Sequence, residues 1–190
     1  MRTICKGPVS DYVYVQGTLR FMSAAIVVDD EKRYEPEDAL ESCLHVLTWV
    51  ALRFTKYTTA GSTRDFLRGI RNAYDFPEDA DAGYIKKAIL LCRLVPREVK
   101  FDHRPQLDAL IEELTETFAV RYEKFPSAID FQAILDAQTA KIPESIIAQL
   151  PAFSYLKRLG DVGTPSWLVD TFRRHLNAGP WPVSDNAARR

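Results

Sequence analysis

The sequence predicts an all-α protein folded as a single domain. Apolar residues recur with helical period over most of the chain from Pro36 onward, and no segment reads as a strand. The chain is 190 residues long, with 46% hydrophobic and 27% charged residues, enough to bury one core.

Residues 1–34 contain Gly, Pro and β-branched residues without a 3.6-residue period, so they read as a loop region. Within it Tyr12-Val13-Tyr14-Val15 is a short extended piece. Residues 35–178 form the helical core and 179–190 a tail.

The core opens with a helix from Pro36 to about Tyr57. From Leu40, residues Cys43, Leu44, Leu47, Val50, Ala51 and Phe54 form one continuous face, and Val46, Trp49 and Leu52 make the other faces apolar. A helix so patterned is expected to be buried nearly all round and to serve as the central pillar. Pro36 suits the first turn, and Glu35, Glu37 and Asp38 place acids at the positive end of the dipole.

Shorter helices are expected at 63–74, with Phe66, Leu67 and Ile70, and at 81–95, with Tyr84, Ile85, Ala88, Ile89 and Cys92, stopped by Pro96. A long amphipathic helix begins at Pro105 and aligns Leu107, Leu110, Ile111, Leu114, Phe118 and Tyr122. Its acids lie early and Arg121 and Lys124 late, the order that the helix dipole favours. Residues 128–138 and 143–159 are weaker helical stretches, interrupted by Pro151 and closed by Gly160. The last helix opens with Thr164 as N-cap and Pro165 at its first position and ends before Gly179.

Twenty-five basic and 26 acidic side chains give a net charge of -1, which provides no electrostatic footprint for nucleic acid or anionic lipid. Cys5, Cys43 and Cys92 are too few and too scattered for a disulfide framework or a Cys-x-x-Cys metal site, which favours an intracellular setting, cytoplasmic or nuclear. The N-terminus has no apolar leader core and no run of 18 apolar residues occurs, so no membrane span is expected.

Local chemistry is sparse. His45 stands two residues from Cys43, which points the two side chains to different helix faces, so a hydrogen-bonded helix histidine is expected and not a metal ligand. His103 reads as a helix-start residue and His175 as a complement to a helix C-terminus. Ser42 and Ser62 lack a Gly-x-Ser-x-Gly context. Arg64, Arg68 and Arg71 form a stripe that reads as a solvated face, with docking of an acidic or phosphorylated partner as the alternative. Trp181 is expected to fold back on the domain.

Two segments carry a family likeness. Gly17-Thr18-Leu19-Arg20-Phe21-Met22-Ser23-Ala24-Ala25 is followed, about one helix length later, by Asp38-Ala39-Leu40-Glu41-Ser42-Cys43-Leu44-His45. The pair resembles the end of a protein-kinase activation segment running into the large helix of the kinase C-terminal lobe. More narrowly it is similar to the fungal-type protein kinase family, where Gly-Thr-x-x-Phe-Met precedes an Asp-Leu-Glu-Ser helix. The closing Gly179-Pro180-Trp181-Pro182 and Asp185 resemble the same family's C-terminus, so the likeness spans roughly residues 12–185. The resemblance implies a helical kinase-like C-lobe in which Gly17, Thr18, Phe21 and Met22 shape the loop beside the substrate residue.

The departures are equally specific. The family's Asp-Leu-Glu-Ser falls on Ala39, Leu40, Glu41 and Ser42, with Asp38 one place early. The kinase Ala-Pro-Glu triplet falls on Ser23, Ala24 and Ala25, so the glutamate that pairs with a distant arginine is missing. Phosphoryl transfer needs a Gly-rich loop, a strand lysine, a His-Arg-Asp loop and an Asp-Phe-Gly triplet, and none occurs. His103-Arg104-Pro105 and Asp75-Phe76-Pro77 are incomplete look-alikes.

The expectation is therefore a C-lobe fragment of a Ser/Thr protein-kinase-like fold, catalytically inactive by itself, with no catalytic residue, cofactor or metal assigned. A protein partner or self-association is expected through residues 12–28, with neither nucleic acid nor membrane. The alternatives are a truncated active kinase and an unrelated all-helical adaptor.

Overall fold

The computed structural model describes residues 19–29, 31–59, 61, 64–75, 81–179 and 181. Among them ten α-helices and one two-stranded ribbon are formed, so the all-α expectation holds at the level of class. A 3-10 turn, Leu19–Phe21, leads into α1 (Ala24–Val28), which Ser23 caps by accepting the Ile26 amide. The long helix α2 spans Pro36–Phe54. Pro36 sits in its first turn, and Asp38 reaches back to take the Glu35 amide at 2.8 Å.

Two three-residue strands, β1 (Tyr57–Thr59) and β2 (Val99–Phe101), pair antiparallel with Tyr57 opposite Phe101. They correct the reading that no strand is present. Three residues are too few for a period-2 pattern to register in sequence. Between them lie α3 (Arg64–Asp75), α4 (Ala82–Leu91) and α5 (Leu94–Glu98). Pro96 does not stop α4. The break falls at Arg93, held in the left-handed region at φ 51°, and Pro96 sits within the first turns of α5, where a missing amide is tolerated.

Helix α6 (Pro105–Ala119) follows, then α7 (Ala128–Thr139), α8 (Glu144–Ile147), α9 (Pro151–Val162) and α10 (Pro165–Asn177). Gly160 does not close α9, which continues to Val162. Thr164 precedes α10, but its hydroxyl donates to Gly160 O at 2.9 Å and does not cap the helix.

The pillar of the domain is α6, not α2. Helix α6 packs against α2, α4, α5, α9 and α10, and buries Leu107, Leu110, Ile111, Leu114 and Phe118 together with Thr115, Thr117 and Ala119. Its two threonines read as polar in sequence, yet each is small enough to be enclosed. Helix α2 is covered on one side only. Its buried set, Asp38, Glu41, Leu44, His45, Thr48, Ala51 and Leu52, is largely polar, whereas Val46, Val50 and Phe54 are 40–45% exposed. Apolar residues distributed all round α2 therefore do not translate into burial all round.

One core unites α2, α3, α5 and the ribbon with the first half of α6, through Leu52, Ile70, Tyr74, Val95, Phe101 and Ile111. A second joins Leu44 and Leu90 to Leu114, Phe118, Tyr155 and Leu168. The buried face of α4 is Ala82, Gly83, Lys86, Ile89 and Leu90, rotated from the expected one, so that Tyr84 and Cys92 face outward. Gly83 is required there, because a Cβ would stand 2.9 Å from Val28 Cγ2 and 3.0 Å from the Val28 amide. Gly83→Ala should destabilise by about 1–3 kcal/mol by pushing α1 off α4, read as a lowered denaturant midpoint.

Trp181 does fold back. It packs partly buried on the first core, and its indole N–H donates to Leu176 O at 3.0 Å.

Candidate functional site

Two carboxylates on the first turns of α2, Asp38 and Glu41, are fully buried, and a charged group in that position must be paired and hydrogen-bonded to persist. Both meet Arg121, which follows α6. Its Nη2 donates to Asp38 Oδ1 at 2.6 Å and its Nη1 donates to Glu41 Oε2. Around this pair the acids collect the segment that enters the domain. Ser23 Oγ donates to Asp38 Oδ1 at 2.6 Å and the Ala24 amide to Glu41 Oε1 at 2.8 Å. Tyr122 donates its hydroxyl to Glu41 at 2.8 Å while accepting the Ala25 amide at 3.0 Å. Lys32 completes the shell on Asp38 Oδ2 at 2.9 Å.

A second tie comes from α4. Lys86 is fully buried and donates to the carbonyls of Leu19 at 2.9 Å and Met22 at 3.0 Å, clasping the 3-10 turn from beneath. Phe21, half-buried, meets Trp49 of α2 edge-on at 5.7 Å, and Arg20 stacks over the same indole at 5.2 Å. The short segment 19–28 is thus held by α2, α4 and the end of α6 at once.

The titration of these groups follows from their contacts. Burial would raise the Asp38 carboxyl, but hydrogen bonds from Arg121, Ser23 and Lys32 outweigh it and bring its pKa down to about 2. Glu41 is likewise held below its ordinary value, burial being outweighed by His45, Arg121 and the Ala24 amide. Burial pushes His45 down despite Glu41, so the ring is neutral near pH 7. Its Nε2–H then donates to Glu41 Oε1 at 3.2 Å, and its Nδ1 accepts from the Tyr74 hydroxyl at 3.2 Å. Burial lowers Lys86 to about 8, with Glu41 as a partial counterweight.

These shifts fix a pH profile. Asp38 and Glu41 titrate lower in the folded chain than in the unfolded one. Their contribution is complete above about pH 5 and is lost as pH falls through the folded values. His45 adds to the loss on the acid side, because below about pH 6.5 the unfolded chain takes up its proton first. Lys86 acts at the other end: between about 8 and 10.5 the unfolded chain holds more of its proton, so stability rises with pH there. Denaturant midpoints should climb from pH 3 to 7; toward pH 10 the gain from Lys86 is opposed by Tyr74, Tyr122 and Cys43, which burial raises above their ordinary values. A flat profile over the acid range would contradict the network.

Of the residues expected to shape a substrate loop, Phe21 and Met22 lie in this site. Gly17 and Thr18 fall outside the described residues. Leu19, Phe21, Met22, Ile26, Val27 and Val28 are each half-buried. His45 is the hydrogen-bonded helix histidine expected. His175 meets Glu113 Oε2 at 2.7 Å near the end of α10.

Sequence reasoning missed the roles of Ser23, Lys86, Arg121 and Tyr122. Lys86 carried a signal, since it stands on the apolar stripe Ala82–Lys86–Ile89–Leu90, where a cation has no place on an exposed face.

Among the described residues no cluster of His, Cys, Asp and Glu is placed to hold a metal, and no helix is long and apolar enough to cross a membrane. No family model matches the chain, and neither a curated protein nor a solved structure matches it.

Proposed function

We propose that this chain is the helical lobe of a protein-kinase-like fold, in which segment 19–28 forms the end of a substrate-positioning loop and α2 its seat. The observation that carries this reading is the latch between Arg121 and the two acids of α2. The likeness to an activation segment leaves position 25 without the glutamate that pairs with a distant arginine. Arg121, placed directly after the long helix α6, supplies such an arginine. Glu41 receives it and at the same time binds the Ala24 amide, so an acid from the seat does the work of an acid from the loop. Phe21 and Met22 are consequently fixed in place, as a loop that orients a protein serine or threonine must be.

On this reading the chain positions a substrate and does not transfer phosphate. No residue is assigned as base, metal ligand or phosphate clamp. Mg-ATP at millimolar concentration should leave the melting temperature where a sulfate control leaves it, because a nucleotide at about a hundred times its Kd would add roughly 2.7 kcal/mol. The reading itself is tested by complementation. A separately expressed half-domain carrying the Gly-rich loop, strand lysine, His-Arg-Asp and Asp-Phe-Gly of a fungal-type kinase should bind this chain and gain transfer of the ATP γ-phosphate to a protein substrate. Failure of such halves to associate would count against a kinase-like lobe. Magnesium-dependent stabilisation of the chain alone by ATP would instead favour an enzyme complete in itself.

The adaptor reading has one observation in its favour, the exposed apolar side of α2. The arginine stripe gives it less support: Arg68 is exposed but engaged in an interaction, and Arg71 is half-buried.

A further inference from the structure

From Ser42 to Phe54, helix α2 carries no acidic residue. Its outer face brings Val46, Trp49, Val50 and Arg53 together at i, i+3, i+4 and i+7, with Phe54 beside them. Val46, Val50 and Phe54 are exposed and Trp49 is half-buried. The Phe54 ring meets the Trp49 indole edge-on at 5.8 Å, and Phe21 meets the same indole from the 3-10 turn. Isolated exposed apolar residues are ordinary, but here a row of three rings centred on Trp49 adjoins an apolar helix face.

The charge of this face selects what it can take. Arg20 lies over the Trp49 indole at 5.2 Å and over the Phe21 ring at 6.0 Å. Among the described residues its guanidinium forms no ion pair and no hydrogen bond, and neither does that of the exposed Arg53. The acid in contact with the row, Asp75 of α3, accepts the Trp49 indole N–H at 3.2 Å and pairs with neither arginine. Asp38 and Glu41 are buried in the first turns of α2 and engaged by Arg121. An arginine already held over aromatic rings keeps its N–H fork for a carboxylate and has less rotamer freedom to lose on pairing.

We infer that the outer face of α2 around Trp49 binds a segment of a partner protein in which a carboxylate side chain adjoins an aromatic or aliphatic one. The carboxylate pairs with Arg20, and the apolar side chain covers Trp49, Val50 and Phe54. Apolar contact provides the attachment and the unpaired arginine the selection by charge. The inference stands apart from the kinase-like reading. Its test reads binding of a peptide, whereas that reading is tested by association with a half-domain, so either can fail alone.

Two indoles supply the readout. Trp49 lies in the proposed face, and Trp167 lies on the second core against Phe118. The isotope-labelled full chain is titrated with a short synthetic peptide in which a glutamate adjoins a phenylalanine, and separately with its glutamine counterpart. The indole N–H resonances are followed by NMR. The glutamate peptide should move the Trp49 signal saturably, leave Trp167 in place, and bind about tenfold more tightly than the glutamine peptide. The difference should shrink as salt is raised. Arg20→Gln should bring the glutamate peptide down to the affinity of the glutamine one with little change in melting temperature, because Arg20 makes no hydrogen bond among the described residues. Val50→Ser should weaken both peptides alike.

Equal affinity for the two peptides, an equal loss for both on Arg20→Gln, or no saturable movement of Trp49 with either would overturn the inference. Movement of Trp49 on dilution of the protein alone would also overturn it, by assigning the face to a second copy of the chain.

Discussion

Arg121→Met should lower stability by about 3–5 kcal/mol, the range for breaking a buried ion pair by removing one partner. The loss does not come from the arginine's own packing. It comes from leaving Asp38 and Glu41, both without solvent contact, as two carboxylates in one site with Lys32 as the one directly bonded cation and Ser23, Tyr122, neutral His45 and backbone amides as the remaining donors. Burial then dominates, and their pKa values should rise, so the variant should recover stability as pH is lowered toward 5 while the parent loses it. For a chain of this length the expected fall in melting temperature is roughly 6–20 °C at neutral pH. Arg121→Lys should rescue only in part, because one ammonium cannot serve both acids through two separate nitrogens. A shift of less than a degree or two for Arg121→Met would mean that the acids are hydrated and the latch is not closed.

Leu114→Ala should cost a similar amount, about 3–5 kcal/mol, for a different reason. Leu114 has no solvent exposure at the middle of α6, in the cluster that joins α2, α4, α9 and α10, so the space it vacates cannot be filled from one side. The contrast is with Val50→Ala on the outer face of α2, where the change should be within about 0.5 kcal/mol. Paired chemical denaturation of the two variants separates a domain built on α6 from one built on α2. If Val50→Ala proved the more damaging, α2 would be the pillar after all.

Much of the helical pattern was legible because it rests on period and punctuation. Pro36, Pro105 and Pro165 each open a helix in its first turn, as their fixed φ and missing amide favour. The misreadings have physical causes. Apolar content around a helix reports what could be covered, not what is, and α2 meets α6 on only one side. Pro96 looked like a terminator because a proline stops a helix it meets from within, whereas here the left-handed Arg93 ends α4 and α5 restarts with the proline near its beginning.

The site was half visible. Asp38 and Glu41 stand in the segments that carry the family likeness, as do Phe21 and Met22. In linear order Arg121 reads as a complement to the helix dipole and Tyr122 as part of the apolar face of α6, because nothing there indicates that residues some 80 positions away share a carboxylate. Ser23 and Lys86 are likewise long-range partners, tied to α2 and to the turn before α1 respectively. Pairings of that kind are set by tertiary packing, which local pattern does not encode.

Segment 19–28 is locked to the base of α2 by buried charge. Native-state amide hydrogen exchange tests it most directly, because the Ala24 and Ala25 amides donate to Glu41 and Tyr122 and to no helix carbonyl. Both amides should exchange as slowly as those in the middle of α2, and Arg121→Met should speed them selectively while the amides of α6 around Leu114 stay protected. Exchange of Ala24 and Ala25 at the rate of an open chain, in a parent protein whose α6 amides are protected, would contradict it.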